Sequence, residues 1–404
     1  MTEPLIGIHD LSLATAHYRL DHDALARHLG VDPAKFHVGL GQDAMSIPAA
    51  DEDIVTMAAT AAQPIIARHG GDRIRTVLFA TESGVDQSKA AGLYVHGLLG
   101  LPTTCRVVEL KQACYSATAA LQFAAALIAR EPAQQVLVLT GDVAKYALGS
   151  TGEPTQGAAA VAMLITAEPA ILRLDTPSGL YSDDVSDFWR PNYRTEAVVD
   201  GKLSVEAYQH AIEQAWADYR YRGGRDLSEF AACCYHQPFT RMAYKAHRHL
   251  LHHAGSDAAP GTDLDSVLAA GTIYNRAVGN SYAASAYVGL ASLLDHRDDL
   301  ANRPIAIISY GSGSVAEFLS GVIEPGYHQH LRSAANAGAI ARRRPITYAH
   351  YRELHQVEIP ADGGDHKIEQ ESTGPYRLAA LSGHRRIYES AEGRHHSSSL
   401  IQGK

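Results

Sequence analysis

The chain has 404 residues, 46% of them hydrophobic and 20% charged, with 35 Lys and Arg against 44 Asp and Glu for a formal net charge of −9. That composition excludes the low-hydrophobicity, high-charge regime of disordered chains, and a length prior of about 150 residues per domain suggests two or three packed units. No Lys/Arg run interleaves with aromatics, so DNA and RNA are not expected as partners, and no apolar run reaches the ~20 residues that a bilayer requires.

In chain order, the segment from Asp51 to Arg68 opens with an acidic turn and reads as a helix. Short β-rich apolar runs follow at Arg75 to Ala80, Arg106 to Leu110 and Gln135 to Thr140, with an Ala-rich helical pattern from Ala113 to Arg130 between the second and third. Alternation of this kind implies a buried α/β sheet. After a turn-rich stretch from Pro191 to Gly201, the spacing of Val205, Tyr208, Ile212, Trp216 and Tyr219 predicts a helix from about Leu203 to Tyr219. Further strands are predicted at Phe230 to Tyr235 and Pro304 to Tyr310, the latter running into Gly311-Ser312-Gly313-Ser314. The chain thus divides into an N-terminal half (1–170), a C-terminal half (171–390) and a tail (391–404), the polar character beginning near Pro360 and the end expected to be disordered.

Four cysteines occur, and Cys233 and Cys234 are adjacent, which makes a poor disulfide framework and fits a reducing cytoplasm. Cys114 stands out because it follows a predicted strand and opens a predicted helix, whose N-terminal N–H groups and positive dipole end favour a thiolate. Taken alone, a cysteine among alanines is as readily an inert buried side chain. His236, at the predicted end of a strand stopped by Gln237-Pro238, and Glu82, just after another strand, are placed where α/β sheets host acid–base chemistry. Each has a bland alternative, a satisfied core histidine or a helix-capping acid. Arg241, Lys245, His247 and Arg248 on the next helical pattern suit a diphosphate or a solvated face. His249 and His253 are four apart, but no carboxylate or cysteine accompanies them at ligand spacing, so no metal is expected.

Three separated segments, Ala80-Thr81-Glu82-Ser83-Gly84-Val85-Asp86, Glu109-Leu110-Lys111-Gln112-Ala113-Cys114-Tyr115 and Tyr235-His236-Gln237-Pro238-Phe239, together resemble the 3-hydroxy-3-methylglutaryl-CoA synthases, bacterial mevalonate-pathway type, of the thiolase superfamily. The likeness continues through Lys145-Tyr146, Gly152 to Gly157, Asp187 to Pro191, Val278-Gly279-Asn280 and Ser309 to Ser314, covering roughly residues 4 to 390. It implies a five-layered αβαβα thiolase-like fold of two similar halves, a cytoplasmic homodimer, and condensation of acetyl-CoA with acetoacetyl-CoA, without a cofactor. By the same resemblance Cys114 carries the acetyl group, Glu82 is the base and His236 serves the acceptor. Asp86, Asp142 and Asp187 are supporting acids, Tyr146 and Asn280 line the acyl pocket, Ser312 contributes backbone near the thioester oxygen, and Arg241 and Lys245 meet CoA. Ser116 stands where many relatives have Gly, and Arg241 where Lys is usual. The competing expectations are a polyketide β-branching synthase acting on carrier-bound acyl groups and a non-catalytic scaffold of the same fold.

Overall fold

The structure, a computed structural model, describes residues 5–255 and 263–391. Among these, ten strands join one sheet: β1 (Gly7–Thr15), β2 (Ile74–Ala80), β3 (Arg106–Leu110), β4 (Gln135–Val143), β5 (Ala158–Thr166), β6 (Leu172–Leu174), β7 (Gly179–Ser182), β8 (Ala232–Tyr235), β9 (Pro304–Gly311) and β10 (Val315–Ile323). Their order is β8-β9-β10-β6-β1-β5-β4-β2-β3, with β7 paired to β10. The pattern repeats. In the first half β1 is antiparallel to β5, β5 antiparallel to β4, and β4 parallel to β2. In the second half β6 is antiparallel to β10, β10 antiparallel to β9, and β9 parallel to β8. The two halves meet at a short antiparallel junction, Gly7 opposite Arg173 and Ile8 opposite Leu172.

Side-chain alternation distributes each strand between two cores, as a sheet buried on both faces requires. Val136, Val138, Val161, Met163, Ile305 and Ile307 face a central core shared by both halves. In that layer lie α2 (Ser116–Arg130) and α5 (Ser285–His296). Leu137, Leu139, Ala160 and Leu164 face outward onto α1 (Ile54–His69). Ala306, Ile308 and Phe318 face outward onto α3 (Gly201–Tyr221) and α4 (Thr240–His253). Outer helices, one half of the sheet, central helices, the other half of the sheet and outer helices make the five layers of a thiolase-like fold.

The helix starts follow capping chemistry. Asp53 accepts hydrogen bonds from the Val55 and Thr56 amides while Thr56 reciprocates, and Asp200 accepts from the Lys202 and Leu203 amides. The predicted α3 face is observed, with Tyr208, Ile212, Trp216 and Tyr219 buried. Beyond Pro360, where the sequence reading assigned no element, residues 366–390 carry a small antiparallel sheet, His366–Lys367, Tyr376–Ser382 and Arg385–Ser390. Tyr376, Leu378, Ala379 and Leu381 are buried, with a register irregularity after Leu378, and Tyr388 donates to Asp53 at 2.6 Å, so a half-buried strand hides inside a polar composition. Most of the expected tail, residues 392–404, lies outside the described residues.

Candidate active site

The functional side chains gather at the carboxyl ends of the parallel strands. Glu82 follows the end of β2 and His236 follows the end of β8, which are corresponding strands of the two halves. Cys114 follows β3 in a turn before α2, and Asp142 lies near the end of β4. The Cys114 thiol donates to Glu82 Oε1 at 3.3 Å. Cys114 belongs to a buried cluster with Ala144, Tyr146, Phe188, Ala197 and Tyr282, a largely apolar lining for a short acyl chain. A cavity of about 1960 Å³ opens beside the pair, its wall including Glu82, Gln112, Ala113, Phe188, Arg190 and Ser312.

The thiolate expected from a helix N-terminus is corrected here. The helix begins at Ser116, while Cys114 sits upstream of it, buried beside a carboxyl group. Burial pushes the thiol well above its ordinary range, and the Glu82 and Asp142 carboxylates push in the same direction. Burial, followed by the Asp142 charge, pushes Glu82 up to about 8, against the Cys114 hydrogen bond and Arg190, which lower it. The resting pair is therefore a thiol beside a largely protonated carboxyl at neutral pH. His236 is driven down to about 3 by burial, so its imidazole is neutral, and its Nδ1 finds no hydrogen-bond partner among the described residues.

Asp142 organises the Glu82 loop. One oxygen accepts from Thr81 Oγ1 at 2.7 Å and from the Glu82 and Ser83 amides at 2.9 Å, and the other accepts from the Ala283 amide at 3.0 Å, which ties the base to the second half. Asp187 plays a similar part across the site, accepting from Tyr310 Oη at 2.8 Å, Gly313 N at 3.0 Å and Ser204 Oγ at 3.3 Å. Asn280 shapes the Tyr282 backbone by accepting its amide at 2.8 Å. The Ser312 carbonyl accepts from Gln112 Nε2 at 3.2 Å, joining the glycine-rich loop to the nucleophile turn.

Other expected residues stand apart. Asp86 accepts from Tyr94 Oη at 2.8 Å and lies 3.5 Å from Arg386, at the loop's outer end. Arg241 donates to the Val38 carbonyl at 3.0 Å and Lys245 lies over the Phe239 ring; neither lines the cavity that holds Glu82. His247 cannot grip a diphosphate: it is buried, bonded to Tyr235 Oη at 2.9 Å, and driven by burial down to about 4. His249 and His253 do meet a carboxylate, Glu213 of α3, at 2.9 and 3.3 Å, a partner that sequence spacing does not reveal. Tyr282 and Arg190 were missed as site residues. Arg190 donates to the Glu82 carbonyl at 2.5 Å, and its only sequence signal is its place in the Asp187 to Pro191 stretch.

The family model Hydroxymethylglutaryl-coenzyme A synthase N terminal matches residues 4–170, and its C terminal counterpart matches 173–269 and 258–356. A Hydroxymethylglutaryl-CoA synthase of Enterococcus faecalis is 40% identical, with 95% of this chain and 99% of that protein covered. The polyketide biosynthesis 3-hydroxy-3-methylglutaryl-ACP synthase PksG of Bacillus subtilis is 32% identical, with 86% and 87% covered. The crystal structure of HMG-CoA synthase complexed with CoA superposes with a TM-score of 0.91 at 38% identity, covering 95% of this chain and 99% of that one. With the thiolase-like fold and the Cys114–Glu82 pair, these matches show that the chain belongs to the hydroxymethylglutaryl-coenzyme A synthase family.

Proposed function

We propose that this enzyme condenses acetyl-CoA with acetoacetyl-CoA and water to give 3-hydroxy-3-methylglutaryl-CoA and CoA, through an acetyl thioester on Cys114. The observation that carries the reading is the thiol of Cys114 held 3.3 Å from Glu82 Oε1 in an apolar pocket beside a large cavity. When Glu82 is ionised it takes the Cys114 proton as sulfur attacks the acetyl carbonyl, and the departing CoA sulfur takes that proton away. Acetylation removes the hydrogen bond that had stabilised the Glu82 carboxylate, which leaves a stronger base beside the acetyl methyl group. Glu82 then removes a methyl proton, the carbanion attacks the ketone carbon of acetoacetyl-CoA, and the alkoxide left on that carbon takes the proton back from Glu82 to become the hydroxyl. Neutral His236 serves as the polar group for that acceptor, and water finally cleaves the thioester to Cys114.

Asp142 and Asp187 support the reacting loops, Tyr146 and Asn280 shape the acyl pocket, Asp86 braces the outer end of the Glu82 loop, and the Ser312 segment supports the thioester oxygen. Arg241 and Lys245 are assigned to CoA on resemblance alone. The scheme moves only acyl groups and protons, so it calls for no cofactor. CoA is preferred to a carrier protein because the 40% identity to the CoA enzyme of E. faecalis exceeds the 32% to PksG. No helix among the described residues is long and apolar enough to cross a membrane, which agrees with a cytoplasmic enzyme of the mevalonate pathway. A homodimer is supported by the exposed edge strand β3.

Intact-mass measurement after mixing with acetyl-CoA tests the reading. One acetyl group should appear on Cys114, and Cys114→Ser should show neither adduct nor product. Normal product formation by that variant would overturn the assignment, and acetylation from an acetyl-carrier protein but not from acetyl-CoA would move it to the polyketide class.

A further inference from the structure

Glu317 lies within β10 and is 1% exposed, a position where a carboxyl group is costly unless its oxygens are occupied. Both are. Tyr115 Oη donates to Oε2 at 2.8 Å, and Gln122 Nε2 donates to Oε1 at 2.5 Å. The donors belong to the other half of the chain, 202 and 195 residues away in sequence. Tyr115 is the residue after the nucleophile. Its amide closes a turn onto the Gln112 carbonyl at 3.1 Å, and within that turn Ala113 sits at φ 43°, a conformation that L-residues hold only where the surroundings enforce it. A second tie, Gln112 Nε2 to the Ser312 carbonyl at 3.2 Å, clasps the other end of the turn. Gly311 presses against it, since a Cβ there would stand 2.7 Å from the Tyr115 nitrogen.

We propose that Glu317 is a positioning residue for the nucleophile: acting through Tyr115, it holds the Gln112–Tyr115 turn in the conformation that keeps Cys114 buried and against Glu82. Glu317 touches no reacting atom. Its effect is to prevent the strained turn from relaxing toward the cavity, where the sulfur would be more accessible and misaligned with its base. The inference rests on Cys114 being the nucleophile, but one of its readouts needs no acyl substrate, so failure of the clasp and failure of the proposed reaction are distinguishable.

The test is Glu317→Leu in the full chain, with unfolding followed to confirm the fold. Released from burial and from the neighbouring carboxylates, the Cys114 thiol should ionise at lower pH, and iodoacetamide should label it about tenfold faster at pH 7 for each unit of that shift. Acetylation by acetyl-CoA should instead slow, on the order of 10²-fold, because the sulfur is displaced from Glu82. Glu317→Gln, which keeps an acceptor, should recover most of both rates. A folded Glu317→Leu with an unchanged alkylation pH profile would overturn the proposal, whether acetylation fell or not. If Glu317→Leu does not fold, Tyr115→Phe removes a single hydroxyl and carries the same two readouts with the same expected signs.

Discussion

Burial sets the proton inventory of the site, and Glu82 is where that inventory becomes measurable. A base must be ionised to act, so the condensation rate should climb as pH rises through about 8, where Glu82 loses its proton, and a profile flat between pH 6 and 9 would contradict the base assignment. The same shift has a stability consequence. The carboxyl ionises near 4.5 in the unfolded chain and at about 8 in the folded one, so the folded state holds the extra proton between those values. The resulting stability is full below 4.5 and is lost as pH rises through about 8. Glu82→Gln replaces the carboxyl with a neutral group of the same shape, so its thermal midpoint should gain on the wild type as pH is raised from 5 to 9, while product formation disappears. Thermal melts at both pH values check this, and a constant difference would mean that Glu82 does not carry the raised pKa. Cys114, Glu82 and His236 were each legible as residues at strand ends. Their protonation states were not, because a helix start suggests a thiolate, whereas the decisive causes are burial and the neighbouring carboxylates, Glu82 beside Cys114 and Asp142 beside Glu82, which come from tertiary packing alone.

Elements reach the site only because two loops cross at close range. A Cβ on Gly157 would stand 2.4 Å from the Val278 carbonyl and 2.9 Å from the Asn280 amide, and one on Gly279 would stand 2.0 Å from the Gln156 carbonyl. This seam positions Asn280 and, through its side chain, Tyr282 over Cys114. Gly157→Ala should therefore force the crossing loops apart and destabilise the protein by about 1–3 kcal/mol, as overpacking does. Activity should fall with it, since Tyr282 moves from the acyl pocket. Gly201→Ala, at the start of α3 with no atom near the added methyl group, is the control and should leave the melting temperature unchanged or slightly higher. Equal melting temperatures for the two variants would sink the close-approach argument. The sequence shows Gly157 and Gly279 inside the recognisable stretches but not that they face each other. Strands and helices themselves were legible, to within a few residues, because their apolar periods are strong. The sheet at 366–390 was not, because its short alternation is diluted by glycine, histidine and charge.

At the scale of the molecule, the two edges of the large sheet are treated differently. β8, at one end, is buried along its whole length and has the short helix Asp265–Leu268 against it. β3, at the other end, pairs among the described residues only with β2 and leaves Val108 38% exposed. The helices beside β3 add Leu93 at 44% and Phe123 at 53% exposure, so an unpaired strand edge is continuous with an apolar surface. Isolated exposed apolar side chains are ordinary, but an open edge bordered by them is a template for pairing with another strand and is normally charged, covered or used. Here the exposed residue at the middle of the edge, Val108, is apolar, with the one exposed charge of the strand, Arg106, at its start. A second copy of the chain can pair at the same edge about a twofold axis, which satisfies the free backbone groups and removes these side chains from water. Sedimentation velocity of the full chain should accordingly give twice the monomer mass at micromolar concentration. Val108→Lys combined with Phe123→Glu places opposite charges in the buried centre of that contact without touching a core side chain, and should yield a folded monomer. Because the edge strand leads directly into the Gln112–Tyr115 turn, the monomer should also lose catalytic rate more than its far-UV spectrum changes. A wild type that sediments as a monomer at every concentration would overturn the dimer, and a double variant that still sediments as a dimer would place the interface elsewhere.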